Sequence, residues 1–558
     1  MKHLWETYET IWILDTVKPF HDEIMSEELG PIVHKDQINA VDLKTNREIS
    51  VTDLKTSPDK SLFKNALVIT CIGTDDLAKL IENKWDLPKA VIDVAVEWRL
   101  ISNGLRENDE CDLLQIASSF NYSPRNFDAI IYGSHPYASL QAINYVFNEL
   151  VNVYDINVDQ ALHRGRYIKA LAQIHQNGVP IDYHRYCQLP TKQQIIDHYS
   201  KHFNVFSGNS ICSELLANYC QQEGIDAQLN LSSNKRIKSK QLKQLSMKHP
   251  RLKDLYYISC LLQGSDTRLL YADPETYRNT ANLRPFGTTT SRNNPKRSEF
   301  IFGHPKWMHS FIKPEKGTSL AYIDWNQQEF GIAAALSSDK KMIAAYESGD
   351  PYLQFAIDIG AIPEDATKHK YPEEREQYKN ALLAILYGIG SESLGRMLSI
   401  SNFQADQIIK QFQSCYRAYA NWCYYQINQA LFCCEIRTQF GWSRKISPDT
   451  RENSIKNFPI QTYGAELMRQ ATCILIESGI KVCTSVHDAF LIESSTTSIH
   501  KTVKKTKELM AQASRQVLDG FELTSDDEII SYPHRFSNDD QESIWNAAIP
   551  VIRRLGNG

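Results

Sequence analysis

Two carboxylates sit where burial would penalise them. Asp488 lies in SVHDAFLIE (485–493), and Asp324 ends SLAYID (319–324). Both runs have the apolar, β-favouring composition of buried strands, and His487-Asp488 interrupts one of them as a tight turn would. A desolvated carboxylate costs free energy unless something compensates it. Mg²⁺ can do so, because it takes oxygen ligands and keeps waters and substrate phosphates in its remaining positions, so two protein acids suffice. Two acids at the ends of adjacent strands suit a pair of metal ions, which stabilise the attacking and leaving oxygens of an in-line phosphoryl displacement. Either Asp alone is more often a turn or cap residue.

A third feature fits phosphate chemistry. In EEREQYKNALLAILYGIG (373–390), Tyr387 lies eight residues beyond Lys379, which lies four beyond Arg375. Those spacings put all three near one helical face, where two cations can clamp a triphosphate and Tyr387-Gly388 can lie against a base. Taken alone, the segment also suits a solvent-facing helix with ordinary surface cations. Between Lys235 and Lys253 stand eight basic residues (Lys235, Arg236, Lys238, Lys240, Lys243, Lys248, Arg251, Lys253) and no acid. Such a run either neutralises phosphates or forms a solvated helix face.

These residues need a scaffold. The 558 residues suggest three or four domains. Over 1–160, short β-like runs (Ile11–Leu14, Ala66–Cys71, Ala90–Val94) alternate with helical stretches, as in an α/β layer. Residues 161–270 read as helical, 281–315 as loop, 326–435 as predominantly helical and 455–558 as mixed. Net charge −5 argues against a nonspecific nucleic-acid coat, although the distribution of charge matters more. No apolar run approaches a membrane span, and MKHLWETYET lacks a leader pattern, so an intracellular, cytoplasmic protein is expected. The twelve cysteines are scattered, as expected of reduced, buried thiols.

Asp324 with Gln327 and Glu329, the Arg375/Lys379/Tyr387-Gly388 helix, NFPIQ (457–461) and His487-Asp488 stand in the order seen in family A DNA polymerases, which the chain resembles over about 161–535. The likeness is to bacterial DNA polymerase I, and particularly to compact phage or prophage enzymes. It implies an α/β (α+β) multidomain, right-hand polymerase fold with an N-terminal RNase H-like, exonuclease-type domain. The implied division is 1–160 exonuclease-like, 161–280 thumb, 281–330 and 451–558 palm, and 331–450 fingers. By resemblance, Asp324 and Asp488 hold two Mg²⁺ ions, with Mn²⁺ a substitute. Arg375 and Lys379 meet the triphosphate, and Lys379 is a candidate acid for the leaving pyrophosphate. Gln327 adjoins the nucleotide site, Tyr387 stacks near the nascent pair, and Glu329 excludes a 2′-hydroxyl. Arg292 reads the minor groove at the primer terminus, and Asn457, Gln461 and His487 touch DNA. The basic run, including Lys235, Arg236, Lys238, Lys240 and Lys243, falls in the thumb. Partners implied are primer–template DNA and dNTPs, with no membrane; a nucleoid-associated or phage-encoded enzyme in a bacterial host fits.

Several positions depart from the family pattern. Leu383 replaces the usual aromatic, Asn453 an expected Arg, and Ala489 the acid that commonly follows His-Asp, leaving two acids where three are usual. In the N-terminal region Asp15 is kept, but Val17 stands where Glu is expected. Asp76 can stand for the middle acid, and His135 replaces the last, with Tyr132 kept. Two acids of four hold too little negative charge for two metals, so an inactive exonuclease-like domain is expected. A single-subunit RNA polymerase shares several of these motifs, but Glu329 opposes it. A dead primer–template or protein scaffold would need no metal carboxylates.

Overall fold

The computed structural model describes residues 2–17, 37–105, 112–122, 138–226, 236–264, 270, 272–273, 275–280 and 282–556. Strands β1 (Ile11–Val17), β2 (Gln37–Asp42), β3 (Arg47–Val51), β4 (Leu67–Thr70) and β5 (Ala90–Asp93) form one sheet in the order β3-β2-β1-β4-β5. The first three pair antiparallel; β4 and β5 run parallel to β1. All four residues of β4, Leu-Val-Ile-Thr, are buried, as a parallel strand covered on both faces requires. The α/β layer expected at the N-terminus is therefore present. Helices α1 (Gly73–Glu82) and α2 (Val94–Ser102) follow β4 and β5.

Helix α3 (Val158–Asn177) joins this layer to the rest of the molecule, packing on α1 and β5 and also on the C-terminal elements. A Cβ at Gly165 would lie 1.8 Å from the Val91 carbonyl oxygen, so only glycine admits this approach of helix to strand. Arg164 of α3 makes a two-pronged ion pair with Glu97 of α2, at 2.7 and 2.6 Å, with both side chains nearly fully buried. One hydrophobic core runs from Trp12 in β1 through Leu171 to Phe490, so the N-terminal layer is not a detached appendage.

Helix α4 (Ser239–Lys248) belongs to the small helical region after α3. The central sheet has the order β9-β10-β6-β11, where β6 is Thr318–Trp325, β9 Lys481–Val486, β10 Ala489–Ser495 and β11 Ser525–Ser531. Between β6 and β9 the chain forms α5 (Gln328–Ser337), α6 (Pro372–Leu386), α7 (Arg417–Cys433), a hairpin of β7 (Glu435–Arg437) and β8 (Ser443–Lys445), and the long α8 (Glu452–Glu477). The expected helical stretch 326–435 and the mixed C-terminal region are therefore present. The eleven described cysteines are free thiols; seven are buried, as expected, Cys415 is half-buried, and Cys187, Cys433 and Cys434 are exposed. Among the described residues, no helix is long and apolar enough to cross a membrane.

Candidate active site

The two carboxylates meet. β6 and β10 pair antiparallel with Asp324 opposite Ala489, and the Trp325 amide donates to the Asp488 carbonyl at 3.3 Å. His487 and Asp488 form the two-residue tip between β9 and β10. His487 has φ +53°, a left-handed conformation at the first loop position that glycine usually supplies, so the tip is a strained turn that aims Asp488 at the end of β6. His487 itself is exposed.

Burial, then the Asp488 charge and a hydrogen bond to it, push the Asp324 carboxyl up to about 7. Burial likewise raises Asp488, opposed in part by His487 and Arg292. Asp324 Oδ1 is buried with no hydrogen-bond partner. An acid pair that retains a proton, beside an orphaned acceptor oxygen, is a donor set suited to a hard cation. β11 adds an acid unforeseen in the sequence: Asp526 lies directly opposite Asp324 in register and helps raise it. Asp324, Ala489 and Asp526 thus share one face across three strands. The signal was the acidic strand beginning Ser-Asp-Asp-Glu at 525, whose register no local pattern reveals. Among the described residues, no group of three or more His, Cys, Asp or Glu side chains forms a metal cage, so the candidate ligands remain this pair.

Above the acids lies a polar network. Arg292 donates to Glu329 at 2.8 Å, and Glu329, in the first turn of α5, accepts from the Tyr387 hydroxyl. Burial and this bond raise the Tyr387 phenol above its usual range. Gln327 precedes α5 with φ +42°. Tyr387 caps the C-terminus of α6, where carbonyls lack intrahelical donors. Helix α8 supplies them: Lys456 donates to the Ile385 carbonyl at 3.1 Å, Asn457 to Tyr387 at 3.1 Å and Asn453 to Gly388 at 2.6 Å. The structure thus uses Asn453 and Asn457 to tie α6 to α8. Gln461, one turn beyond Asn457, is half-buried.

Arg375 and Lys379 both lie on α6, but each has an acidic partner. Arg375 pairs through Nε with Asp350 and stands 5.9 Å over the Tyr352 ring; Lys379 pairs with Glu376 at 3.4 Å. In the basic run, Arg236, Lys238, Lys240, Lys243, Lys248, Arg251 and Lys253 are exposed, and Lys243 also reaches Asp540 at 3.3 Å. Lys235 lies outside the described residues.

The N-terminal acids present different surroundings. Asp15 accepts from Ser139 at 2.5 Å. Asp76 is fully buried and accepts hydroxyl hydrogen bonds from Thr16 and Thr70. Burial and then Asp15 push the Asp76 carboxyl up to about 8. Asp93, ending β5 and not foreseen, caps α2 through the Ala95 and Val96 amides and accepts from the Gly73 amide at 2.8 Å. Val17 ends β1, and His135 and Tyr132 lie outside the described residues.

A model of DNA polymerase family A matches residues 191–519, more than half of the chain. Among curated proteins, DNA polymerase I of Caldicellulosiruptor bescii is 25% identical over 397 residues, 64% of this chain and 45% of that protein. The thermostable DNA polymerase I of Thermus caldophilus is 26% identical over 36% of this chain and 25% of its own length. The DNA polymerase of Mycobacterium phage D29 is 27% identical over 37% and 34%. The chain thus spans between a quarter and a half of these relatives. Among solved structures, the POL domain of Pol1 from M. smegmatis, in complex with DNA primer-template and dNTP, shares the fold with a TM-score of 0.69 at 16% identity, covering 98% of both chains. With the family model spanning more than half of its length, this chain belongs to DNA polymerase family A.

Proposed function

We propose that this chain is a template-directed DNA polymerase that extends a primer 3′-hydroxyl with dNTPs and releases pyrophosphate, without proofreading. The observation that carries this is the meeting of Asp324 and Asp488 at one sheet edge, with Asp324 Oδ1 unpartnered, beside the Arg292–Glu329–Tyr387 network. Asp324 and Asp488 would hold the divalent cations, Mg²⁺ or Mn²⁺. When bound, these stabilise the attacking and leaving oxygens of nucleotidyl transfer. Exchange of the Asp324 proton for a cation suits a carboxyl raised to about 7.

Around that pair each side chain has a task. Lys379 and Arg375 receive the triphosphate, Arg375 by leaving Asp350; Lys379 donates a proton to the departing pyrophosphate. Glu329, held between Arg292 and Tyr387, occupies the space a 2′-hydroxyl would need, which favours dNTPs over NTPs and disfavours RNA polymerase activity. Gln327 adjoins this pocket, and Arg292, Gln461 and His487 meet the duplex. The thumb would span 161–280 and grip phosphates through its exposed cations. The palm would span 281–330 and 451–558 and the fingers 331–450. Residues 1–160 would form an exonuclease-like domain without activity, because Val17 and His135 stand where acids are expected and Asp93 is committed to capping α2.

Primer extension on DNA and RNA templates with Mg²⁺ tests this assignment, supplying dNTPs or NTPs. Extension with dNTPs is expected. Preference for NTPs would make the chain an RNA polymerase, and no extension would leave a binding scaffold.

A further inference from the structure

Arg292 is carried by a loop that the N-terminal layer grips. Ser291 is fully buried with φ +59°, a conformation that must be held from outside. Inside the loop, the Arg292 amide donates to Thr288 Oγ1 at 2.9 Å. From α8, Arg469 donates to the Ser291 carbonyl at 2.8 Å and to Ser291 Oγ at 3.1 Å. From α3, the Tyr167 hydroxyl donates to Asn293 at 3.0 Å.

The remaining anchor comes from the end of α2. Asn103 is 1% exposed, and its Nδ2 donates to the Thr289 carbonyl at 2.9 Å and to the Ser443 carbonyl of β8 at 2.7 Å. The Asn103 carbonyl accepts from the Lys445 amide at 2.9 Å. Gly104 follows with φ +88°, and a Cβ there would lie 2.4 Å from the Lys445 carbonyl oxygen, so the turn fits β8 only as glycine. Trp442 Nε1 is the second donor to the Thr289 carbonyl, also at 2.9 Å. One carbonyl, three residues before Arg292, is therefore held jointly by the N-terminal layer and by the hairpin of β7 and β8. The same amide that holds it also holds β8.

We propose that Asn103 is a positioning residue for Arg292. Through the Thr289 carbonyl it sets the loop that presents the guanidinium to the primer terminus, so the exonuclease-like layer is retained as a template for polymerase geometry. This rests on the polymerase assignment above. A residue that only stabilises the fold would lower thermal stability, but its effect would multiply with that of Arg292→Ala. A positioning residue acts through Arg292 and loses its effect once Arg292 is gone.

The test is a double-mutant cycle in steady-state extension of a matched primer by the full chain. N103A is expected to lower kcat/KM for primer–template about tenfold, the scale of losing buried hydrogen bonds. In the R292A background it should lower kcat/KM less than about twofold. W442F keeps an aromatic ring against Phe286, which stacks on the Trp442 ring with centroids 5.2 Å apart, and deletes the Nε1 donor together with the larger part of the indole. It should show a smaller loss and the same dependence on Arg292, and it decides the matter if N103A does not fold. Losses that multiply with R292A, or wild-type kcat/KM in folded N103A and W442F, overturn the positioning of Arg292 while leaving the polymerase assignment intact. A wild-type chain that extends no primer removes both.

Discussion

Replacing Asp324 by Asn should stabilise the metal-free protein, by an amount that grows as pH rises from acid to neutral. Its carboxyl rises from 3.8 to about 7 in the fold because burial and Asp488 oppose its charge. The folded value exceeds the unfolded one, so the folded state binds more protons between these two values and stability falls as pH rises through that window. At 1.36 kcal/mol per pH unit the full effect is ~4 kcal/mol. The side chain is only half-buried, and solvent screening reduces this to ~2 kcal/mol. In urea unfolding with EDTA, D324N should therefore exceed wild type by ~2 kcal/mol at pH 8 and by well under half of that at pH 5, with an unchanged m value. Mg²⁺ should raise the wild-type midpoint at pH 8 and leave that of D324N nearly fixed. A variant no more stable than wild type at pH 8, or a gain equal at both pH values, would refute the buried, mutually repelling acid pair.

Other changes test other parts of the molecule. Asp488→Asn should retain primer–template binding in a filter or anisotropy assay while extension falls more than about a hundredfold, as loss of a metal ligand demands. Arg164→Ala strands Glu97 in the core and should cost about 3–5 kcal/mol in urea unfolding. The Asp76 carboxyl is raised from 3.8 to about 8 in the fold, so wild-type stability falls as pH rises between those values, and in urea unfolding D76N should already exceed wild type at pH 7, with little further gain above pH 8 and none below pH 4. In the same N-terminal layer, a 3′-mismatched primer incubated with Mg²⁺ and no dNTPs should stay full length; shortening would reveal a working exonuclease.

The carboxylates and the α6 cations were legible because their signals are local. Apolar, β-favouring runs placed Asp324 and Asp488 at strand ends, and helical spacing put Arg375 and Lys379 on one helix. What surrounds them was not legible. Arg375 looks free in sequence, yet Asp350, 25 residues away, holds it. Asn457 suggested a DNA contact and Asn453 a lost Arg; in the fold both side chains of α8 cap α6, because orphan carbonyls at a helix end take the nearest donor. Ala489 suggested a site with fewer acids; the register of β11 brings Asp526 opposite Asp324.

By itself the sequence determined the chemistry: which acids, cations and aromatics are present, in what order, and on which kind of element. These follow from periods of two and 3.6 residues, which operate within a few positions of one another. Only the tertiary structure decided how the polymerase loop is held. Asn103 meets Thr289 and Ser443 across 186 and 340 residues of chain, and Arg292 meets Glu329 across 37. Such pairings come from packed layers and strand register, in which buried polar groups must find partners wherever the fold puts them.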